Sequence, residues 1–220
     1  MKDKLISASI LSADFGHLAQ EVNDVMEAGA DYIHFDVMDH HFVPNLSFGS
    51  VVCSALRKAK IKAPIDVHLM VENPEQYIKP FAKAGADLIT FHPETVSDVE
   101  AVVDAIHAAG MQAGLVFNPD KPVNISIDLA RKLQMILLMS VFPGFGGQCF
   151  IEETFDKIQE TREWLDKNNI NAILAVDGGI KVENIKEISK AGADYFVIGS
   201  GLFSANDYAE RVRELRAEIK

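Results

Sequence analysis

A four-residue signature recurs along this chain and fixes the order in which helix and strand follow one another. Ala28-Gly29-Ala30-Asp31 leads into the apolar run Tyr32-Ile33-His34-Phe35, and Ala84-Gly85-Ala86-Asp87 leads into Leu88-Ile89-Thr90-Phe91. Ala191-Gly192-Ala193-Asp194 leads in the same way into Tyr195-Phe196-Val197-Ile198, and a weaker copy joins Ala108-Ala109-Gly110 to the run beginning at Gln112. The physical reading is a helix stopped by glycine, which tolerates the left-handed conformation just past a helix end, then a tight turn and a buried strand. The runs are almost continuously apolar, as parallel strands covered on both faces are.

Amphipathic stretches of helical length fill the intervals, among them Leu18 to Ala28, Pro74 to Ala84, Val99 to Ala109, Phe155 to Lys167 and Tyr208 to Ile219. Strands are expected at Leu5–Ile10, Tyr32–Val37, Ile65–Leu69, Leu88–Phe91, Gln112–Phe117, Met135–Met139, Ala172–Val176 and Tyr195–Ile198. Eight strands alternating with eight helices predict an α/β fold, a single-domain (β/α)8 TIM barrel over residues 1–220. An open doubly wound sheet is the rival, but it usually carries its phosphate glycines after the first strand, where this chain has Leu11-Ser12-Ala13-Asp14.

Side chains two apart on a strand share a face, so His34 and Asp36 point the same way. His68 ends a second apolar run and Asp177 a third. In a barrel of this kind catalytic groups come from the carboxyl ends of strands and the loops that follow. Two imidazoles and two carboxylates at such ends form a candidate site for one divalent cation, with a donor set that suits Zn, Fe(II), Mn or Co. The carboxylates are also available to handle protons. The loops Gly144-Phe145-Gly146-Gly147-Gln148, Gly178-Gly179 and Gly199-Ser200-Gly201 would let backbone N–H groups approach an anion closely, with a short helix starting near Ser200.

A net charge of −11 argues against nucleic acid or an anionic membrane as a general partner, so a phosphorylated substrate must be held by a local device. No apolar run reaches the roughly 18–20 residues that span a bilayer. No targeting segment is apparent, and Cys53 and Cys149 are isolated, which predicts free thiols and a cytoplasmic protein.

Longer motifs sharpen this reading. Ser9-Ile10-Leu11-Ser12-Ala13-Asp14-Phe15, His34-Phe35-Asp36-Val37-Met38-Asp39 with Val43-Pro44-Asn45, and Asp66-Val67-His68-Leu69-Met70-Val71 are followed by Gly114-Leu115-Val116-Phe117-Asn118-Pro119. Met139-Ser140-Val141 with Pro143-Gly144-Phe145-Gly146-Gly147-Gln148, and Val176-Asp177-Gly178-Gly179, complete the set. In these motifs the chain resembles the ribulose-phosphate 3-epimerase family nearly end to end. That resemblance implies an isomerase interconverting D-ribulose 5-phosphate and D-xylulose 5-phosphate, in the pentose phosphate pathway, with one divalent metal cation. It implies His34, Asp36, His68 and Asp177 as metal ligands and Asp36 and Asp177 as the acid/base pair. It further implies phosphate binding by Gly144, Phe145, Gly146, Gly147, Gly178, Gly179, Gly199 and Ser200. Ser9 and His68 would touch substrate, and Met38, Met70 and Met139 would form a thioether collar over the metal. A homo-oligomer is left open.

Departures from the family pattern are Phe142 where Asn is usual, His40 where Gly or Asn is common, Ala8 for Pro and Ala175 for Glu. None removes an expected ligand or proton carrier. A 3-epimerase of a ketohexose 6-phosphate such as D-allulose 6-phosphate needs the same groups. A non-catalytic phosphosugar-binding barrel would be expected to lack one of the aspartates. Decarboxylases and aldolases on related barrels use an Asp-x-Lys-x-x-Asp motif, and this strand has no lysine. His17, His92 and His107 are expected in surface or packing roles and Cys149 as a packed thiol, while His40 and His41, whose loop borders the site, are left open, a local structural role for His41 being the lesser alternative.

Overall fold

A computed structural model describes residues 4–219; the remainder of the expected span lies outside the described residues. Its strands β1 (Leu5–Ser9), β2 (Tyr32–Met38), β3 (Ile65–Met70), β4 (Leu88–Phe91), β5 (Gln112–Phe117), β6 (Met135–Met139), β7 (Ile173–Asp177) and β8 (Tyr195–Ile198) close into one parallel barrel in chain order. β2 and β3 each run one residue further than expected because Met38 pairs with Met70. β1 stops earlier, at Ser9, where Ile10–Ser12 tightens into a 3-10 turn. The helices are α1 (Leu18–Glu27), α2 (Ser50–Lys58), α3 (Glu75–Ala84), α4 (Val99–Ala108), α5 (Ile127–Lys132), α6 (Thr154–Lys167), α7 (Val182–Ala191), α8 (Ser200–Phe203) and α9 (Tyr208–Glu218). The eighth helical position is thus split in two, a short α8 followed by α9. Among the described residues no helix is long and apolar enough to cross a membrane.

Strand alternation divides the apolar residues into two layers. Outward-facing Ile33, Phe35, Val67, Leu69 and Ile89 pack with helix residues such as Val22, Phe81 and Ile106. Inward-facing Leu88, Val116, Leu137, Ala175, Tyr195 and Val197 fill the barrel. Small Ala175 stands opposite large Tyr195 in the β7–β8 register, so its departure from the family's Glu fits within a packed layer.

The repeated aspartate has a structural role at the amino-terminal ends of the strands. The Asp31 amide donates to the Ile6 carbonyl at 2.8 Å, while its carboxylate accepts the Ile6 N–H at 2.7 Å. Asp87 holds Ile65 by the same two bonds, at 2.9 and 2.8 Å, and Asp194 holds Leu174 at 2.7 and 3.4 Å. Each carboxylate also meets an arginine: Asp31 with Arg216, Asp87 with Arg57 at 2.9 Å, and Asp194 with Arg162 at 3.1 Å. The glycines before them, at φ of 107°, 90° and 123°, turn the chain sharply enough to bring each aspartate back to the preceding strand. These clamps join β1 to β2, β3 to β4 and β7 to β8. Before β6 only the backbone half survives, Gln134 N–H to the Ala113 carbonyl at 2.8 Å. The weaker sequence copy precedes β5 and is not the missing fourth clamp.

Replacing Asp194 by Ala strips a mostly buried charged acceptor from Leu174 and Arg162. Chemical denaturation should show a loss of about 1–3 kcal/mol, with metal affinity at the opposite barrel face unchanged. A loss below about 0.5 kcal/mol, the range of ordinary surface changes, would contradict the clamp.

Candidate active site

The register of β2 on β3 pairs His34 with Asp66, Asp36 with His68 and Met38 with Met70. All six side chains are buried, and His and Asp alternate in two rows that end in the methionines at the carboxyl ends of the strands. β7 contributes Asp177 beside Met139 of β6. His34 Nε2 lies 3.3 Å from Asp36 Oδ1 and 3.8 Å from Asp177 Oδ2, and His68 Nδ1 lies at the same distances from the same two oxygens. One donor atom from each of the four residues falls within 4.8 Å of all the others. Both ring nitrogens are buried without a hydrogen-bond partner among the described residues. Buried imidazole nitrogens are rarely left unpaired, and two of them aimed at two carboxylate oxygens fit a divalent cation.

The ligand set is braced from behind. His34 Nδ1 is hydrogen-bonded to Asp66, whose other oxygen accepts the Ser7 hydroxyl at 2.8 Å and the Tyr195 hydroxyl. A carboxylate on Nδ1 places the imidazole proton there and leaves the Nε2 lone pair for a metal. The Ser9 hydroxyl donates to Asp36 Oδ2 at 2.6 Å, and the Ser47 hydroxyl donates to the Asp36 carbonyl at 2.5 Å.

The two carboxylates are driven apart by their surroundings. From protein groups alone, burial pushes Asp177 up to about 8, assisted by the charge of Asp36. Burial opposes ionisation of Asp36 too, but the neighbouring His34 and His68 outweigh it and hold this carboxyl well below the usual range. Burial works against a charged His34, and the carboxylates of Asp66 and Asp36 overcome it and hold the ring well above the ordinary histidine value. The pair of carboxyls therefore keeps one ionised and one protonated member.

A cleft opens over this cluster. Ser9, Asp36 and Asp177 form its floor with Met38, Met70 and Met139, and the glycine loops at Gly144–Gly147, Gly178–Gly179 and Gly199–Ser200 line it too. His34 and His68 are fully buried beneath. Gly178 and Gly179 have φ of 118° and 63°, and a Cβ on them would stand 2.5 Å from Val141 and 2.3 Å from the Phe150 nitrogen. No other residue fits that turn without moving Val141 and the backbone at Phe150. The first glycine loop is braced by Gln148, whose side-chain amide donates to the carbonyls of Phe142 and Phe145 at 2.7 and 2.8 Å. Asn45 from the loop after β2 donates to the Gly144 carbonyl at 2.8 Å. Phe142 is held through its backbone while its ring is exposed, so its departure from Asn leaves the loop's bracing intact.

Three supporting residues escaped the reading of the sequence as site residues: Asp66, Tyr195 and His92. Asp66 obeys the same alternation as His68, two residues away. His92, expected in a surface or packing role, is fully buried with Nε2 2.9 Å from His68 Nε2, and burial pushes it well below the ordinary histidine range. It stands two residues beyond inward-facing Thr90. His17 and His107 are exposed, and His41 bonds to the Asp39 carbonyl of its own loop at 2.8 Å. Cys149 is exposed rather than packed, because it follows the glycine loop before the chain turns inward; Cys53 is buried.

A family model described as ribulose-phosphate 3 epimerase matches residues 5–203. The chain is 50% identical over 219 residues to the ribulose-phosphate 3-epimerase of Escherichia coli strain K12, covering 100% of this chain and 97% of that protein. It is 51% identical over 208 residues to the enzyme of the same name from Serratia marcescens, covering 94% and 99%. Among solved structures, KGPDC from Streptococcus mutans superposes with a TM-score of 0.69 at 16% identity, covering 100% of this chain and 98% of that one, a likeness of fold. The chain belongs to the ribulose-phosphate 3-epimerase family.

Proposed function

We propose that this chain interconverts D-ribulose 5-phosphate and D-xylulose 5-phosphate by inverting C3, using Asp36 and Asp177 as the acid/base pair. The observation that carries the reading is the convergence of two carboxylates with opposite protonation preferences on one four-residue cluster under a glycine-lined cleft. Relatives that match along all or nearly all of the chain carry the name of the same activity.

Inversion at the carbon next to a ketone requires a proton to leave one face and another to arrive on the opposite face. Asp36 stands on β2 and Asp177 on β7, three strands apart around the barrel, so the two carboxyls approach the cleft from different sides. Asp36, the more readily ionised of the pair, takes the C3 proton of one epimer as a carboxylate, and Asp177, the one with the higher proton affinity, regains a proton from solvent in the substrate complex and returns it to the other face; the roles exchange in reverse. His34, Asp36, His68 and Asp177 would hold one divalent cation of the Zn, Fe(II), Mn or Co class. When bound it supplies Lewis-acid stabilisation of negative charge on the ketose oxygens. Ser9, through its bond to Asp36 Oδ2, fixes the orientation of that carboxylate. The backbone N–H groups of the glycine loops and Ser200 hold the phosphate, and the three methionines keep water from the reacting carbon.

Metal-replete protein should turn over D-ribulose 5-phosphate faster than D-allulose 6-phosphate, measured side by side. The opposite preference would move the substrate to the ketohexose, and no turnover of either would favour a binding protein. Asp36→Asn and Asp177→Asn should each lower kcat by at least about 10²–10⁴-fold, with affinity for a phosphate ester largely kept; near-normal kcat at confirmed metal content would sink the assignment.

Cation binding must displace the protons that Asp177 and His34 hold in the metal-free chain. Affinity should therefore rise with pH, by up to about tenfold per unit for each proton released, through the region below about 8 set by Asp177. Co2+ titrations at pH 6 and pH 8 check this, and a flat profile would contradict it.

A further inference from the structure

We propose that His92 is a positioning residue that sets the tautomer of His68, accepting its Nε2–H and so turning the Nδ1 lone pair toward the metal. The inference rests on the metal centre described above and adds a residue behind it. His68 Nδ1 is the atom that faces Asp36 and Asp177, so it must be free of a proton to ligate. The proton of a neutral ring then sits on Nε2, and Nε2 faces His92 Nε2 at 2.9 Å. Two nitrogens at that distance share one proton, which makes His92 the acceptor. Its own proton is thereby confined to Nδ1, which lies 3.9 Å from Glu94 Oε1.

The surroundings hold this arrangement still. The His92 ring lies 5.1 Å from that of His68 and 4.7 Å from that of Phe42, centroid to centroid. Thr95 donates its hydroxyl to the His92 carbonyl at 2.7 Å, fixing the turn after β4. Glu94 is itself placed by the Asn118 side-chain amide, which donates to Oε1 at 3.0 Å. Glu94 lies too far from His92 Nδ1 for a hydrogen bond, and that nitrogen is buried without a partner among the described residues, so the bond to His68 is the one His92 side-chain hydrogen bond found there.

The two metal-binding imidazoles are consequently supported by different chemistry. His34 leans on the carboxylate Asp66, whereas His68 leans on a neutral imidazole. A carboxylate behind a ligand raises its basicity, and a neutral acceptor does so less. A second buried carboxylate would add a further negative charge to a cluster that already buries Asp36, Asp66 and Asp177. An imidazole sets the tautomer without that charge.

The test compares His92→Gln, which keeps an acceptor toward His68, with His92→Phe, which fills the space without one. Co2+ affinity is read by chelator competition and the visible d–d spectrum reports ligand geometry. His92→Phe should bind Co2+ about 10–100-fold more weakly with an altered spectrum, and His92→Gln should restore both. Wild-type affinity and spectrum in His92→Phe would overturn the proposal. Long-range ¹H–¹⁵N correlation of histidines in Zn-loaded wild-type protein needs no variant to fold. It should place the proton of His68 on Nε2 and that of His92 on Nδ1; a proton on His92 Nε2 would overturn the assignment. A wild-type chain that binds neither Co2+ nor Zn2+ would instead overturn the metal centre itself.

Discussion

The pairing register of β2 against β3 is the constraint on which the rest of this molecule depends. With His34 opposite Asp66 and Asp36 opposite His68, each imidazole has a carboxylate beside it and all four face the barrel interior. A slip of one residue would turn these side chains into the apolar layer under the helices and bring Phe35 and Val37 inward. At its start the pair is tied by the Ile33 N–H, which donates to the Pro64 carbonyl at 2.9 Å, and the clamps that fix its two neighbours, β1 to β2 and β3 to β4, lie far from the chemistry. Asp31 and Asp87 clamp the amino-terminal ends of β1 and β3, and the arginines that meet them come from α9 and α2. Stability at one face of the barrel and chemistry at the other are thereby separated, as in barrels of this type.

Burying two carboxylates and three imidazoles in one barrel, with the half-buried Asp177 beside them, is costly unless each is partnered. Asp66 meets the cost with three donors, from His34, Ser7 and Tyr195. Asp36 is stabilised by two imidazoles and the Ser9 hydroxyl. Asp177 has no comparable support among the described residues, and in the metal-free chain burial pushes it up to about 8. This inequality, set by neighbours rather than by residue type, suits the two aspartates to the acid and base roles proposed for them.

Much of this was legible in the sequence. The Ala-Gly-Ala-Asp repeat marks helix ends and strand starts because glycine and aspartate act locally, and the alternation of His34, Asp36 and His68 reads directly as a shared face. The supporting groups were harder to see. Tyr195 reaches Asp66 across the barrel, and no spacing along the chain announces a contact between β8 and β3. Asp66 lay in plain view beside His68, but its role depends on its pairing with His34. His92 follows an apolar strand, where a histidine by itself is more often structural, and only the register of β4 on β3, with Thr90 opposite His68, brings it against His68. The clamp role of the repeated aspartates was equally hidden, since their partners are the backbone of the preceding strand.

The central claim is that Asp36 and Asp177 serve opposite faces of C3. It is tested most directly by isotope exchange in metal-loaded Asp177→Asn, supplying each epimer separately with deuterium at C3 and following its loss to water. Two carboxylates with divided duties predict exchange from the one epimer whose proton faces Asp36, without inversion. Exchange from both epimers alike, or inversion that continues unimpaired, would contradict it.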